Sequence, residues 1–384
     1  MELCRVNQGI HRGLKVRMKI AVLGWELPPA FAGGLGIHTI NLFTIISKIM
    51  EVNLYVPDAP GLLSKYPFQV TRINISPGDS NYGKSNDFYE SVIKYNDLIT
   101  TQFKNDISII HAHDWITFRA GVKLKKMTGK PLVVTVHSTE YDRSGNFNPQ
   151  RRIMDIEEEG IREADRVIAV SNYTKKIIQE VYGIDNSKIE VIYNGVSSSI
   201  YSNMEKNYDN TRRVLYFGRV TPQKGPKFFV EAARKVLTRR KDVIFVVAGT
   251  GDQLDEMKNS VRALGMENNF EFTGFVSEGY SLKIYRDSDV FVLPAVSEPF
   301  GMTVLESMST GTPTVISKTT GVGEALSNVL RCDFWDTDKM ADYILAILNF
   351  RPLREMMGKR GRIEAMNFTW DKAAIKTMGV YNSI

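Results

Sequence analysis

Short, nearly all-apolar runs alternate along the chain with segments whose apolar residues recur every three to four positions. Runs of the first kind fit strands buried on both faces, and their alternation with amphipathic segments argues for parallel sheets covered by helices. In the first half this predicts strands at 19–23, 52–56, 107–111, 131–136, 166–170 and 189–193. Helices are predicted at 36–49, 88–104, 116–127, 151–164 and 172–182, with Ser171 placed to cap the last. Residues 196–211 carry Ser197-Ser198-Ser199 and then a polar run with Asn and Asp, a linker composition. A second series follows, with strands at 213–217, 243–248, 269–273, 289–293 and 312–316. Its helices fall near 226–239, 252–264, 279–286, 301–309 and 337–349, and a helical tail occupies 351–384. The expected fold class is α/β: two Rossmann-like βαβ domains, with ligands bound beyond the carboxyl ends of the strands in the cleft between them.

Composition agrees with this division. The chain has 384 residues, 43% hydrophobic and 24% charged, which excludes collagen-like, coiled-coil and disordered classes. At roughly 150 residues per domain, two domains are expected. The net charge of +6 and a pI near 9.0 alone would point to a polyanionic partner. The excess sits at the ends, however: residues 1–17 carry four bases against one acid, and 351–384 carry seven against three. The body between them is close to neutral, and no basic patch interleaved with aromatics marks a nucleic-acid binder. Cys4 and Cys332 make neither a disulfide framework nor a structural zinc cluster. No apolar run approaches the roughly 18 residues of a membrane span, so no stable membrane insertion is expected. The first 17 residues lack the apolar core of a signal peptide, and a cytoplasmic location is expected. Met18 directly precedes a strand pattern, so 1–17 reads either as a start-site extension or as a short basic tail.

Candidate chemistry follows the strands. Gly33-Gly34-Leu35-Gly36 opens a helix after the first strand, a backbone that approaches a ligand closely and favours an anion. The spacing is not that of a dinucleotide fingerprint, and the second strand ends Leu54-Tyr55-Val56-Pro57 with no acidic residue, which argues against NAD. His111-Ala112-His113-Asp114 resembles the start of a binuclear metal site, but Trp115-Ile116 stand where a further ligand is needed, and no metal is expected. His111 reads as a buried strand residue, with His113 and Asp114 orienting a loop. His137, at the end of the most apolar strand of this half, is the better candidate for touching substrate.

The second half carries the sharper constellation. Gly218-Arg219-Val220-Thr221-Pro222-Gln223-Lys224-Gly225 places two cations five residues apart on a loop bounded by Gly and Pro, a plausible diphosphate clamp. After the fourth strand come Glu298-Pro299-Phe300-Gly301-Met302-Thr303 and, one helical stretch on, Glu306. Helical side chains lean toward the N-terminus, so Glu306 can share a pocket with Glu298, while the amides of Phe300, Gly301 and Met302 form an anion-friendly helix start. Cations with paired carboxylates fit a ligand that has both a diphosphate and several hydroxyls, and a nucleotide sugar is such a ligand. Asp287-Ser288-Asp289 and Asp336-Thr337-Asp338 mimic a metal-binding Asp-x-Asp but sit at element boundaries, where Asp is a routine cap.

With these residues the chain resembles the retaining GT-B glycosyltransferases, in the glycogen-synthase-like branch of families 4 and 5. The likeness covers 18–384 and rests on Glu298-x7-Glu306, the Arg219-x4-Lys224 loop, Gly24-Trp25-Glu26-Leu27-Pro28-Pro29 before Gly33-Gly34, and His111-Ala112-His113-Asp114-Trp115. It implies an N-terminal acceptor-side domain at 18–200, a linker at 201–211, a nucleotide-sugar domain at 212–365 and a last helix, 366–384, packing back across the domains. It further implies that Arg219 and Lys224 hold the donor diphosphate, Glu298 the sugar hydroxyls and Glu306 the ribose. Gly33, Gly34, Phe300, Gly301, Met302 and Thr303 would contact sugar and phosphate, and His137 would lie beside the anomeric carbon. The leaving phosphate would take the acceptor's proton in a front-face reaction that needs no metal cofactor. Phe31 stands where bacterial and plant glycogen synthases carry a lysine, so the donor implied is UDP- or ADP-glucose and the acceptor an α-1,4-glucan. The alternatives are a lipid, small metabolite or surface polysaccharide acceptor, or a non-catalytic nucleotide-sugar or glucan binder.

Overall fold

The computed structural model describes residues 17–30, 33–75, 85–145, 147–197 and 212–384. Most of the predicted N-terminal extension, Phe31 and nearly all of the predicted linker lie outside them. The first half runs β1 (Lys19–Leu23), α1 (Gly34–Ile46), β2 (Glu51–Pro57), β3 (Gln69–Ile73), α2 (Ser85–Gln102), β4 (Ile109–His113) and α3 (Trp115–Thr128). It continues with β5 (Leu132–Val136), α4 (Glu140–Arg143), α5 (Arg151–Glu163), β6 (Arg166–Ala169), α6 (Asn172–Tyr182) and β7 (Ile189–Val191). The second half runs β8 (Arg212–Phe217), α7 (Pro226–Arg239), β9 (Val243–Ala248), α8 (Leu254–Ala263), β10 (Phe270–Gly274), α9 (Glu278–Asp287) and β11 (Val290–Leu293). It ends with α10 (Met302–Ser309), β12 (Thr314–Ser317), β13 (Leu330–Cys332), α11 (Thr337–Asn349), α12 (Arg351–Ala365) and α13 (Trp370–Tyr381).

These form two parallel sheets, of seven strands in the order β3-β2-β1-β4-β5-β6-β7 and of six in the order β10-β9-β8-β11-β12-β13. Strands β4, β5, β11 and β12 are buried along their whole length, as expected of a sheet covered on both faces. Two strands escape the hydrophobic pattern, β3 and β13. Both are edge strands; β3 interrupts its apolar residues with exposed Gln69 and Arg72 and β13 is three residues long, so neither offers an apolar run. The strand expected at 107–111 lies instead at 109–113, because His111 and His113 are wholly buried ladder residues. Ser171 caps α6 as predicted, accepting from Thr174 N.

In each sheet the strand order reverses once, between β1 and β4 and between β8 and β11. Loops diverge at such a point and leave a crevice at the carboxyl ends of the strands. The loops after β1, β4 and β5 carry Gly33, Asp114 and His137; those after β8 and β11 carry Arg219, Lys224 and Glu298. The last helix returns to the first sheet: Trp370, Ala373, Ala374, Met378 and Tyr381 of α13 join one apolar cluster with Ile20, Val22 and Leu54. No described helix is long and apolar enough to cross a membrane.

Candidate active site

On the second-domain side, β8 ends at Gly218, and Tyr216 donates to Arg219 O at 3.0 Å, fixing the turn while the Arg219 side chain stays exposed. Gly225, in the left-handed region at φ 64°, ends the following turn and starts α7. That turn delivers Lys224, whose ammonium is bonded to Glu298 in the loop after β11. Glu298 is buried, and its backbone is tied by Glu298 N to Thr319 O (3.0 Å) and by Gly321 N to Glu298 O (2.8 Å). Two of the predicted residues are thus brought together directly. Glu306 lies on α10 and accepts from Tyr285 OH at 2.9 Å. Gly301 starts that helix at φ 100° with no side-chain cap, which leaves its first-turn amides to backbone geometry alone. Phe300 is 3% exposed and packs in the core, so its ring is structural and its contribution to the loop is its backbone.

Across the cleft, the glycine loop differs from the expected anion cradle. Glu26 accepts from Gly36 N at 3.0 Å, and a Cβ at Gly33 would meet its Oε2 at 2.4 Å. The loop is therefore wrapped around the protein's own carboxylate. Burial raises the Glu26 pKa, while the Gly36 amide and the nearby Arg219 guanidinium lower it. Gly34 faces the other domain, where a Cβ would lie 3.6 Å from Met302 Cε.

His137 is positioned by its neighbours. Asp114, at φ 56° just past β4, accepts from His137 N (2.7 Å) and Ser138 N (3.3 Å). Burial pushes the Asp114 carboxyl up to about 6 and the His137 imidazole down to about 3, so the imidazole is neutral at physiological pH. Its Nε2 is 3.0 Å from His113 Nδ1, and its ring lies 4.4 Å from that of His38. His111 is held between Tyr381 OH (2.6 Å) and Thr135 Oγ1 (2.7 Å), which makes it a core residue. Among the described residues, His38, His113 and His137 are the ones whose ligand atoms converge as a metal would require, within 4.8 Å. His38 Nε2 and His113 Nε2 have no hydrogen-bond partner among the described residues, His113 Nδ1 and His137 Nε2 face each other, and no carboxylate belongs to the group. Both Asp-x-Asp segments have structural partners: Asp336 caps α11, and Asp289 accepts from Arg213 N and pairs with Arg212 and Arg354. Two surface hollows, one on α2 between Glu90 and Thr101 and one beside Arg213 and Glu271, contain none of these site residues.

The two sides meet through residues to which sequence alone assigned no part in the site. Ser297 Oγ donates to Asp142 Oδ1 at 2.5 Å and lies 2.9 Å from Tyr173 OH. Ser171 Oγ donates to Pro299 O at 2.6 Å. Glu324 receives Asn172 N (2.6 Å), Tyr173 N (3.1 Å) and Tyr193 OH (2.9 Å), capping α6 from the other domain. Asp142 had a local signal: Thr139-x-x-Asp142 is a capping box, observed as such at α4.

Two parallel-sheet domains, each half matched by a glycosyltransferase family, make the chain a GT-B glycosyltransferase. Residues 32–199 match the family described as Glycosyltransferase Family 4, and 199–364 match Glycosyl transferases group 1. The chain is 29% identical to an uncharacterized glycosyltransferase, MJ1607, of Methanocaldococcus jannaschii, covering 95% of this chain and 98% of that one. It is 25% identical to a glycogen synthase of Mycobacterium tuberculosis, covering 95% and 94%. The solved structure of Anabaena HepE in complex with UDP-glucose is similar in fold, with a TM-score of 0.76 and 18% identity over 96% of this chain and 100% of that chain.

Proposed function

We propose that this enzyme transfers glucose, with retention of configuration, from UDP- or ADP-glucose to the non-reducing end of an α-1,4-glucan. The observation that carries the reading is the Lys224–Glu298 pair, a cation and a buried carboxylate side by side where the strand order reverses. Likeness to a glycogen synthase supports the acceptor class, and fold similarity to a protein solved with UDP-glucose supports the donor. In this reading Lys224 and Arg219 bind the diphosphate and offset the charge that grows on it as the glycosidic bond breaks. Glu298 accepts from the sugar hydroxyls. Glu306, oriented by Tyr285, accepts from the ribose. The backbone around Gly301 to Thr303 closes over sugar and phosphate, with Gly34 of the facing loop opposite Met302. His137, kept neutral by burial, lines the reacting face without adding a positive charge there. The acceptor oxygen bonds to the anomeric carbon on the face the phosphate leaves, and the acceptor's proton passes to the departing phosphate oxygen. No step calls for a metal ion, and the location is cytoplasmic.

A panel of UDP-glucose, ADP-glucose and GDP-mannose with glycogen, maltooligosaccharides, sugar phosphates and a lipid extract tests this reading. Glucose incorporation into glycogen is expected from at least one glucose donor, unaffected by EDTA. Transfer only to a sugar phosphate or lipid would overturn the acceptor, and no sugar release from any donor would overturn the activity. Glu298→Ala and Lys224→Ala should each lower turnover by roughly 100-fold or more while the protein stays folded. Retained activity in both would place the site elsewhere.

A further inference from the structure

We propose that Asp142, acting through Ser297, is a positioning residue for Glu298, tying the donor-side carboxylate to the loop that carries His137. The proposal rests on the reading that Glu298 and His137 face the same donor sugar.

The hydrogen-bond polarity is determined by the chemistry of the groups. The buried carboxylate of Asp142 takes Thr139 N (3.0 Å) and Thr139 Oγ1 (2.7 Å) on Oδ2, and Ser297 Oγ on Oδ1. A serine hydroxyl has one proton. Given to Asp142, it leaves the Ser297 oxygen as an acceptor, so Tyr173 OH must donate to it. The chain runs from Tyr173 to Ser297 to Asp142, and it crosses between domains at both steps. Ser297 immediately precedes Glu298, and Pro299, which immediately follows it, receives Ser171 on its carbonyl. Glu298 is therefore bracketed by two interdomain bonds. Val296 N bonded to Gln223 O (2.8 Å) and Glu298 N bonded to Thr319 O hold the same segment within its own domain. The interdomain bonds and these intradomain ones together fix the backbone from which the Glu298 side chain projects.

The other end of the tie leads to His137. Asp142 closes the capping box of α4 with Thr139, two residues beyond His137, and Arg143 donates to Ser138 O at 2.8 Å. Arg143 is itself fixed by Glu157 (2.6 Å) and Glu140 (3.3 Å). A shift of α4 relative to the second domain would thus move His137 and release Ser297 together. A charged acceptor makes the Ser297–Asp142 bond one of the stronger neutral-donor bonds in the seam.

The test is a double-mutant cycle on the full-length enzyme with Ser297→Ala, Asp142→Ala and the pair, reading kcat, donor KM, UDP affinity by calorimetry and melting temperature. Loss of a charge-assisted positioning bond should lower kcat by roughly 10- to 100-fold, with donor KM and UDP affinity changed by less than about threefold. The pair should be no worse than Asp142→Ala alone, because Asp142→Ala already removes the Ser297 bond along with the capping box. Tyr173→Phe, which leaves the Ser297–Asp142 bond in place, replaces Asp142→Ala if that variant does not fold, and should give a smaller, non-additive loss. Retained kcat in folded Ser297→Ala, or losses that multiply in the pair, overturns the tie. A wild-type enzyme that turns over no nucleotide sugar overturns the functional reading and the proposal with it. An active wild type beside a fully active Ser297→Ala removes the tie alone.

Discussion

His137 shows how much a single residue's role depends on where burial puts it. Its imidazole pKa is pushed down to about 3, below the ordinary value near 6.5, so the fold keeps it neutral while the unfolded chain takes up a proton. Stability from this group is complete above pH 6.5 and is lost as pH falls from there toward 3. Between pH 7 and 5 the loss is at most about 2 kcal/mol. The lowered values of His38, His111 and His113 act in the same direction. Asp114, raised by burial to about 6, opposes them, because its protonated form is favoured in the fold, and it returns about 1 kcal/mol over the same interval. The expected net outcome is lower stability at pH 5 than at pH 7 in urea unfolding; equal or greater stability at pH 5 would contradict the neutral cluster. The sequence placed His137 at a strand end facing the cleft. It could not show that His113 would lie 3.0 Å from it, because residues 24 apart meet only through β4–β5 register.

At the scale of elements, the turn from β8 into α7 places Lys224 and leaves little room for substitution. Gly225 combines a left-handed φ of 64° with a would-be Cβ 2.1 Å from Pro294 O. Gly129, at the C-terminus of α3, has a similar φ of 68° but open space around its Cβ position. Gly129→Ala should therefore cost about 1 kcal/mol from conformation alone. Gly225→Ala should cost roughly 3 kcal/mol or more, because backbone must also move, and should weaken UDP binding by displacing Lys224. Comparing urea midpoints and UDP calorimetry for the two variants checks this; equal effects would mean that the turn adapts freely. Helices and inner strands were legible here because their apolar periodicity is set by burial on one or both faces. The strands β3 and β13 were not, because neither offers an apolar run; the other two edge strands, β7 and β10, were read.

For the whole molecule, the domains are joined by a seam of polar groups and by α13, which leaves the second domain to pack on the first. Glu324 supplies the seam's capping interaction, taking two first-turn amides of α6 and the Tyr193 hydroxyl. Glu324→Ala should leave each domain folded but widen the distribution of domain angles, seen as a larger radius of gyration in solution scattering. An unchanged radius would show that Ser171–Pro299 and Ser297–Asp142 suffice. In the tail, Tyr381→Phe removes the bond to His111 and should cost about 1 kcal/mol. Truncation before Trp370 would expose the apolar cluster shared with β1 and β2, and should yield insoluble or unfolded protein. Survival of a folded, monomeric truncation would refute that role for α13.

The sequence by itself determined the βαβ alternation, the two-part chain and the residues that follow the strands, since apolar period and turn chemistry are local properties. Glu298 and Lys224 stood out for the same reason, each close to a glycine and a proline, and Glu306 stood out by its spacing from Glu298. Which groups meet was decided only by tertiary structure. Asp142 and Ser297 lie 155 residues apart, and Asn172 and Glu324 lie 152 apart. Neither pair has a pattern in its own segment that names the other, because their bonds exist only when two independently patterned sheets are set face to face.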